Sequence, residues 1–230
     1  MKIAILFVLF ESTVLFAQVP VRQVPPTTDE NVLPARLPTG QTSAADARAW
    51  PMAPKAETKL IAAANSGNMQ DLARLIASGA NVNETDSKGM TALHWAQSID
   101  VAKFLIEHGA DLNVESKDER WTALLLATRA KKREIAKLLL EKGADVNKQT
   151  YLGFTALTFA IQGDDLELAR LLIKKGARVD PPFAMTPLMI AANSGQTAMV
   201  RLLIENGANV NASYQADGFT PLLASAQSGN

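Results

Sequence analysis

The chain has 230 residues, of which 47% are hydrophobic, and its 23 basic residues match its 23 acidic ones. That length allows one or two domains with a substantial core, while the even charge balance gives no global field that would draw nucleic acid or an anionic membrane. Cysteine is absent, which removes disulfides, thiolate metal sites, a cysteine nucleophile and a lipid-modified cysteine anchor, and only His94 and His108 could supply imidazole chemistry.

The chain opens with Lys2, an apolar run at 3–10 (IAILFVLF) and the sequence ESTVLFAQ. A charged head, a short apolar core and small Ala17 read as a secretory signal peptide over residues 1–17. The 15 residues from 3 to 17 fall short of the roughly 20 that a membrane-spanning helix requires. Glu11 interrupts the run and Leu15 is large for its place before the cut; the alternative reading is an N-terminal core segment of a cytosolic protein. Residues 18–56 hold seven of the eleven prolines and show neither helical nor strand periodicity. They are expected to form an extended or disordered tether, with Trp50 near its end.

From residue 57 to 230 two signatures alternate. Threonines 58, 91, 122, 155, 186 and 220 recur at intervals of 33, 31, 33, 31 and 34, each opening an alanine-rich apolar stretch. Thr is a good helix N-cap, and Pro187 and Pro221 follow at the first helical position, where the missing N–H costs nothing. Glycines 79, 109, 143, 176 and 207 recur at intervals of 30, 34, 33 and 31, each after an amphipathic stripe such as EIAKLLLEK. Glycine there predicts a left-handed helix stop, and the Asn or Asp that follows predicts a turn closed on its own backbone. Each unit is thus a short helix, a tight turn, a longer helix and a loop. One such pair cannot bury both its faces, whereas a stack of pairs makes a continuous core.

These residues resemble the ankyrin-repeat motif, in which TPLH and an alanine-rich helix are followed by a second helix and GADVN. The resemblance covers 57–230 as five full repeats and the first helix of a sixth, and it implies an all-α solenoid of stacked helix-turn-helix units with hairpin-like loops. His94 alone keeps the family's histidine; Ile61, Leu125, Thr158, Met189 and Leu223 stand in its place, so its hydrogen bonds are expected to be missing from the other repeats. Thr91 to Gly109 is 18 residues against 21 in the other complete units, which predicts a tighter turn between the helices of repeat two. The loop at 177–185 is short and carries two prolines. The sixth unit stops at its first helix, so Leu222, Leu223, Ala224 and Ala226 are expected to lack a partner helix and the natural chain is expected to continue or this one to be a fragment.

No catalytic, cofactor-binding or metal-binding constellation stands out. His94 occupies a structural position of the family, His108 a helix C-terminus where a cation suits the dipole, and Asp164 and Asp165 a helix N-terminus. The basic run at 129–133 reads either as a solvated turn or as a contact for an acidic partner through Lys131 and Lys132; nucleic acid is not expected, because no aromatics interleave it. Met90, Trp121, Phe154, Met185 and Phe219 precede the capping threonines, where the family places hairpin loops beside its concave groove, and at least half of that stripe is expected to be packing. Trp121, Tyr151, Leu152 and Phe183 are expected at outer loop tips as partner contacts. Arg129, Gln162, Asn193 and Ser194 fall on the groove side by the same resemblance. Asn83 and Asn211 head glycosylation-like triplets by coincidence of repeat-turn asparagines. The expected function is non-catalytic binding of another protein through groove and tips by an exported, periplasmic or secreted monomer with no membrane span after signal removal. Two alternatives remain open: an accessory or regulatory domain of a larger enzyme, and a toxin-neutralising or host-targeted interaction protein.

Overall fold

The computed structural model describes residues 58–181, 186–213 and 220–228, all within one compact unit that spans 53–230. The expected signal peptide, the tether, Trp50, Phe183, Met185 and Phe219 lie outside the described residues.

The described residues form helix pairs in series. They are α1 (Lys59–Ser66) with α2 (Met69–Ala77), a single 3₁₀ turn (Ala92–Trp95) with α3 (Ile99–Glu107), α4 (Ala123–Arg129) with α5 (Arg133–Glu141), α6 (Ala156–Gln162) with α7 (Leu166–Lys174), and α8 (Pro187–Asn193) with α9 (Thr197–Glu205); α10 (Pro221–Ser228) then packs on α8. The first members of the pairs stack in one row, and α3, α5, α7 and α9 stack in a second. This is the all-α solenoid that the periodicity predicts, and isolated bridges such as Thr85 to Thr91 are the only strand-like pairings among the described residues.

Each first helix starts where the sequence places a threonine. The hydroxyls of Thr58, Thr122, Thr155 and Thr186 accept the amides of Ile61, Leu125, Thr158 and Met189 at 3.2–3.3 Å, satisfying one otherwise orphaned donor each. Each second helix stops at its glycine, where φ lies between 87° and 92°. The amide after that glycine returns to the carbonyl five residues back, as from Ala144 to Leu139 at 2.9 Å, so the left-handed residue closes the last turn. The interior is filled from both rows: the first helices bury alanines such as Ala92, Ala156 and Ala191 together with Ile61, Leu157 and Ile161, all at 0% exposure, against Leu105, Leu139, Leu172 and Leu203 at 0% on the second. Alanine permits close helix approach, and each fully buried leucine contributes about 1.5–3 kcal/mol of transfer free energy.

Repeat two departs from expectation. The missing residues come out of the first helix itself, leaving the single 3₁₀ turn, and not only out of the interhelical turn. Ala96 then leaves in an extended conformation (ψ 120°) and Ser98 caps α3 by accepting the amide of Val101. The large Trp95 ring, 4% exposed, supplies bulk where helix is lost.

Between the pairs the chain turns back in short hairpins. Main-chain bonds close them, Asp86 N to Met90 O, Ser116 N to Trp121 O and Thr150 N to Phe154 O. At Gly89 φ is +76°, and a Cβ there would also lie 3.1 Å from the amide of Lys117 in the next hairpin, so glycine is needed on two counts.

Candidate partner-binding face

Residues at or near the ends of successive first helices form one column. Asn65, Arg129, Gln162 and Asn193 stand seven residues after their capping threonines, and Gln97 takes the place in the shortened repeat. Gln97 Nε2 donates to Asn65 Oδ1 at 2.9 Å, which ties the first two members together. Arg129 and Gln162 are exposed, Asn193 is half-buried, and Ser194 is the exposed C-cap of α8. The structure therefore brings the expected groove residues Arg129, Gln162 and Asn193 into register.

Beside this column lies an aromatic cluster. The Trp121 and Phe159 rings stack at 5.3 Å, and Phe154 adds to Phe159 at 5.7 Å. Trp121 is 3% exposed; it is not an outer tip anchor, because its indole packs over the next repeat. Its Nε1–H donates to Glu119 Oε2 at 2.7 Å, so the polar edge is satisfied too. Phe154 is half-buried against the core and Met90 is 3% exposed, so the described part of the pre-threonine stripe is packing. Over the cluster lies Arg129, its guanidinium carbon 5.2 Å from the Trp121 centroid and 5.9 Å from that of Phe159. Partial burial there holds the guanidinium pKa below the ordinary arginine value, while Glu119 pulls it back up.

The basic turn after α4 is mostly engaged within the array. Lys132 Nζ reaches back to the Ala96 carbonyl at 3.0 Å and to Gln97 Oε1 at 2.8 Å, capping the end of the 3₁₀ turn in the preceding repeat; burial lowers its pKa. Lys132 is thus an inter-repeat tie, which corrects the reading of it as a free contact for an acidic partner. Arg133 pairs with Asp165 at 2.8 Å. Lys131 is exposed, with φ 56°. That value is the position's own demand: Gly67, Asp164 and Gly195 hold the matching turn at φ 72°, 54° and 65°. Of the acidic pair, only Asp165 serves as a cap, accepting the amide of Leu168 at 3.0 Å, while Asp164 makes the left-handed turn.

At the hairpin tips Tyr151 is 77% exposed and Leu152 69%. Their backbone is nonetheless fixed, since Tyr151 N donates to Glu119 O at 2.9 Å as Lys117 N does to Lys88 O at 2.8 Å. Side-chain acceptors brace the same hairpins. Asp86 Oδ1 takes the amides of Lys88 and Met90, Ser116 Oγ that of Trp121, and Thr150 Oγ1 that of Phe154. Glu115 joins two repeats by accepting from Arg120 and Lys148, which hold its carboxyl below the usual range, Arg120 most strongly.

Two further ties escaped sequence reasoning. The turn residues Asn81, Asp111, Asp145 and Asn209 do close on their own backbone two residues on, as expected. The asparagine after the first three turns does something different: Asn83, Asn113 and Asn147 accept the amides of Asp111, Asp145 and Arg178, and Asn83 Nδ2 also donates to Gly109 O, across to the next repeat. The signal for this was present in the spacing of the asparagines, but its meaning needs the stacking. His94, 7% exposed, accepts from Thr91 N through Nδ1 and donates through Nε2 to Trp121 O at 3.1 Å. Its loss elsewhere is partly made good in repeat four, where Thr158 Oγ1 accepts Thr155 N at 2.8 Å. His108 Nδ1 lies 2.7 Å from the Phe104 carbonyl at the end of α3.

Comparison with known proteins agrees with this geometry. A family profile described as ankyrin repeats in three copies matches residues 45–116, 60–150, 112–183 and 178–230. The chain is also similar to the palmitoyltransferase akr1 of Schizosaccharomyces pombe, with 48% identity over 63 residues, 26% of this chain. That match spans 10% of the relative's own length.

Proposed function

Because the chain belongs to the ankyrin-repeat family, we propose that it binds another protein, without catalysis, through the groove formed by the ends of its first helices and its hairpin tips. The observation that carries this reading is the column Gln97, Arg129, Gln162 and Asn193. The core is complete behind it, so the fold makes no demand for Gln162 at its exposed position, and Arg129 touches the fold only through its stacking on Trp121 and Phe159. Tyr151 and Leu152 add apolar area at a tip whose backbone is already held by its neighbour, and an exposed tyrosine is a typical binding anchor.

The test is a pull-down from the native host with wild-type protein and two sets of variants. A partner retained by wild type and by the outer-face variants Lys103→Glu and Arg201→Glu, but lost with Gln162→Ala plus Asn193→Ala, supports the reading. Loss with the outer-face variants alone refutes it.

A second reading takes the similarity to the palmitoyltransferase as its support: the repeats serve as the recognition domain of, or accessory to, an enzyme. Co-purification of an enzymatic activity with the protein tests it. We further propose export, supported by Lys2, the apolar run at 3–10 and Ala17, with residues 18–56 as tether and a periplasmic or secreted monomer as the product. N-terminal sequencing from the native host checks this; an intact Met1 on the soluble protein refutes it.

A further inference from the structure

Within the proposed groove one charged group differs from its neighbours. Lys132 is bound to Ala96 O and Gln97, Arg133 to Asp165, and Arg120 to Glu115. Lys131 extends its stem toward the next repeat, its Cε 3.4 Å from where a Cβ on Gly163 would stand. Arg129 has neither hydrogen bond nor ion pair among the described residues; its contacts are the faces of Trp121 and Phe159. The rings shield one side of the guanidinium from water. None of its N–H donors is taken by a protein acceptor among the described residues, and a side chain already seated on two rings has less entropy left to lose on binding. Glu119, the acid that faces it, already accepts from Trp121 Nε1.

We propose that Arg129 is the anchoring point for a side-chain carboxylate of the partner, so that the bound segment is acidic. This rests on the groove reading above. A planar fork presented on an aromatic platform matches the two oxygens of a carboxylate. A phosphate, carrying about two negative charges, is met elsewhere by clusters of arginines; here the other arginines of this stretch, Arg120 and Arg133, are engaged by Glu115 and Asp165. Tyr151 and Leu152 are linked to the same site through Glu119, whose carbonyl accepts the Tyr151 amide while its carboxylate accepts the Trp121 indole. They offer an apolar second contact beside the charge.

The experiment is selection of random dodecapeptides displayed on phage against the wild-type protein. The selected peptides are then synthesised and their affinity measured by fluorescence anisotropy. Enrichment of Asp or Glu is expected, with at least a tenfold loss on Arg129→Gln and a smaller loss on Arg129→Lys, which keeps the charge but not the fork. Replacing the peptide's key Glu by Gln should cost the same factor on wild type and almost nothing on Arg129→Gln. Circular dichroism and melting of both variants check that the fold is intact. Selected peptides without acidic residues, or no enriched sequence, overturn the inference. Peptides that lose affinity with Gln162→Ala and Asn193→Ala but not with Arg129→Gln overturn it while leaving the groove reading in place. Peptides insensitive to all three and sensitive to Lys103→Glu overturn both.

Discussion

Asn147 in one repeat grips Gly176 in the next: its Nδ2 donates to the Gly176 carbonyl at 3.0 Å while its Oδ1 accepts the amide of Arg178 at 2.9 Å. The same position in the following repeat is Asp180, whose Oδ2 accepts the amide of Asn209 at 2.8 Å. A carboxylate has no donor to return. Asp180→Asn should therefore add one inter-repeat hydrogen bond, raising stability by about 0.5–1.5 kcal/mol. Asn147→Asp should lower it by a similar amount. Urea melts of the two variants against wild type check both signs.

The turn after α4 gives a second expectation. Lys131 and Asp164 adopt the left-handed conformation that Gly67 and Gly195 adopt without a Cβ. Lys131→Gly and Asp164→Gly should each stabilise the fold by about 0.5–1 kcal/mol, the relief of backbone strain exceeding the extra freedom gained by the unfolded chain. Lys131→Val should destabilise it, because a β-branched residue fits that region worst. Thermal melts at neutral pH distinguish these outcomes.

Acid should act through His94. Burial lowers its pKa, opposed by the hydrogen bond to the Trp121 carbonyl and by Asp86. In the unfolded chain the ring takes up a proton below about pH 6.5; in the folded chain it resists doing so. The unfolded state therefore binds more protons as pH drops below that value, and the stability present above it is lost toward acid. Melting temperature should fall between pH 7 and pH 5 more steeply for wild type than for His94→Gln, which keeps a donor and an acceptor but does not titrate.

Tyr151 and Leu152 test the tip. With both exposed and the backbone held by Glu119 O, Tyr151→Ala and Leu152→Ala should leave the melting temperature within a degree or two. If they anchor a partner, each should weaken binding by roughly 1–2 kcal/mol, about five- to thirtyfold. Calorimetry with the partner recovered by pull-down measures this. A stability loss with unchanged affinity would assign the tip to packing.

Much of this architecture is legible in the amino-acid sequence. Thr58, Thr122 and Gly143 announce helix ends through local chemistry, and a local rule reads directly from the chain. Residues that act between repeats do not. Asn83 and Lys132 look like a turn residue and a solvated cation until the stacking places Gly109 and Ala96 beside them. Trp121 reads as an exposed anchor because its position at a hairpin is local, whereas Phe159, which covers it, lies in the next repeat. The glycine-like demand at Lys131 was visible only by aligning it with Gly67 and Gly195. For repeat two the counting of residues located the deletion in the right unit, but not in the 3₁₀ turn that absorbs it, since a turn and a helix can each yield length.

The 3₁₀ turn has one more consequence. Repeat two is shorter in its own interior, yet side-chain ties still cross both of its borders. Gln97 still reaches Asn65, Asn83 still reaches Gly109, and His94 still reaches the Trp121 carbonyl. The spacing inside a unit is therefore free to drift, while the joints between units are fixed. A lineage of such chains could gain or lose a helical turn by a single insertion or deletion, or exchange whole units by recombination, without any neighbour having to change in step.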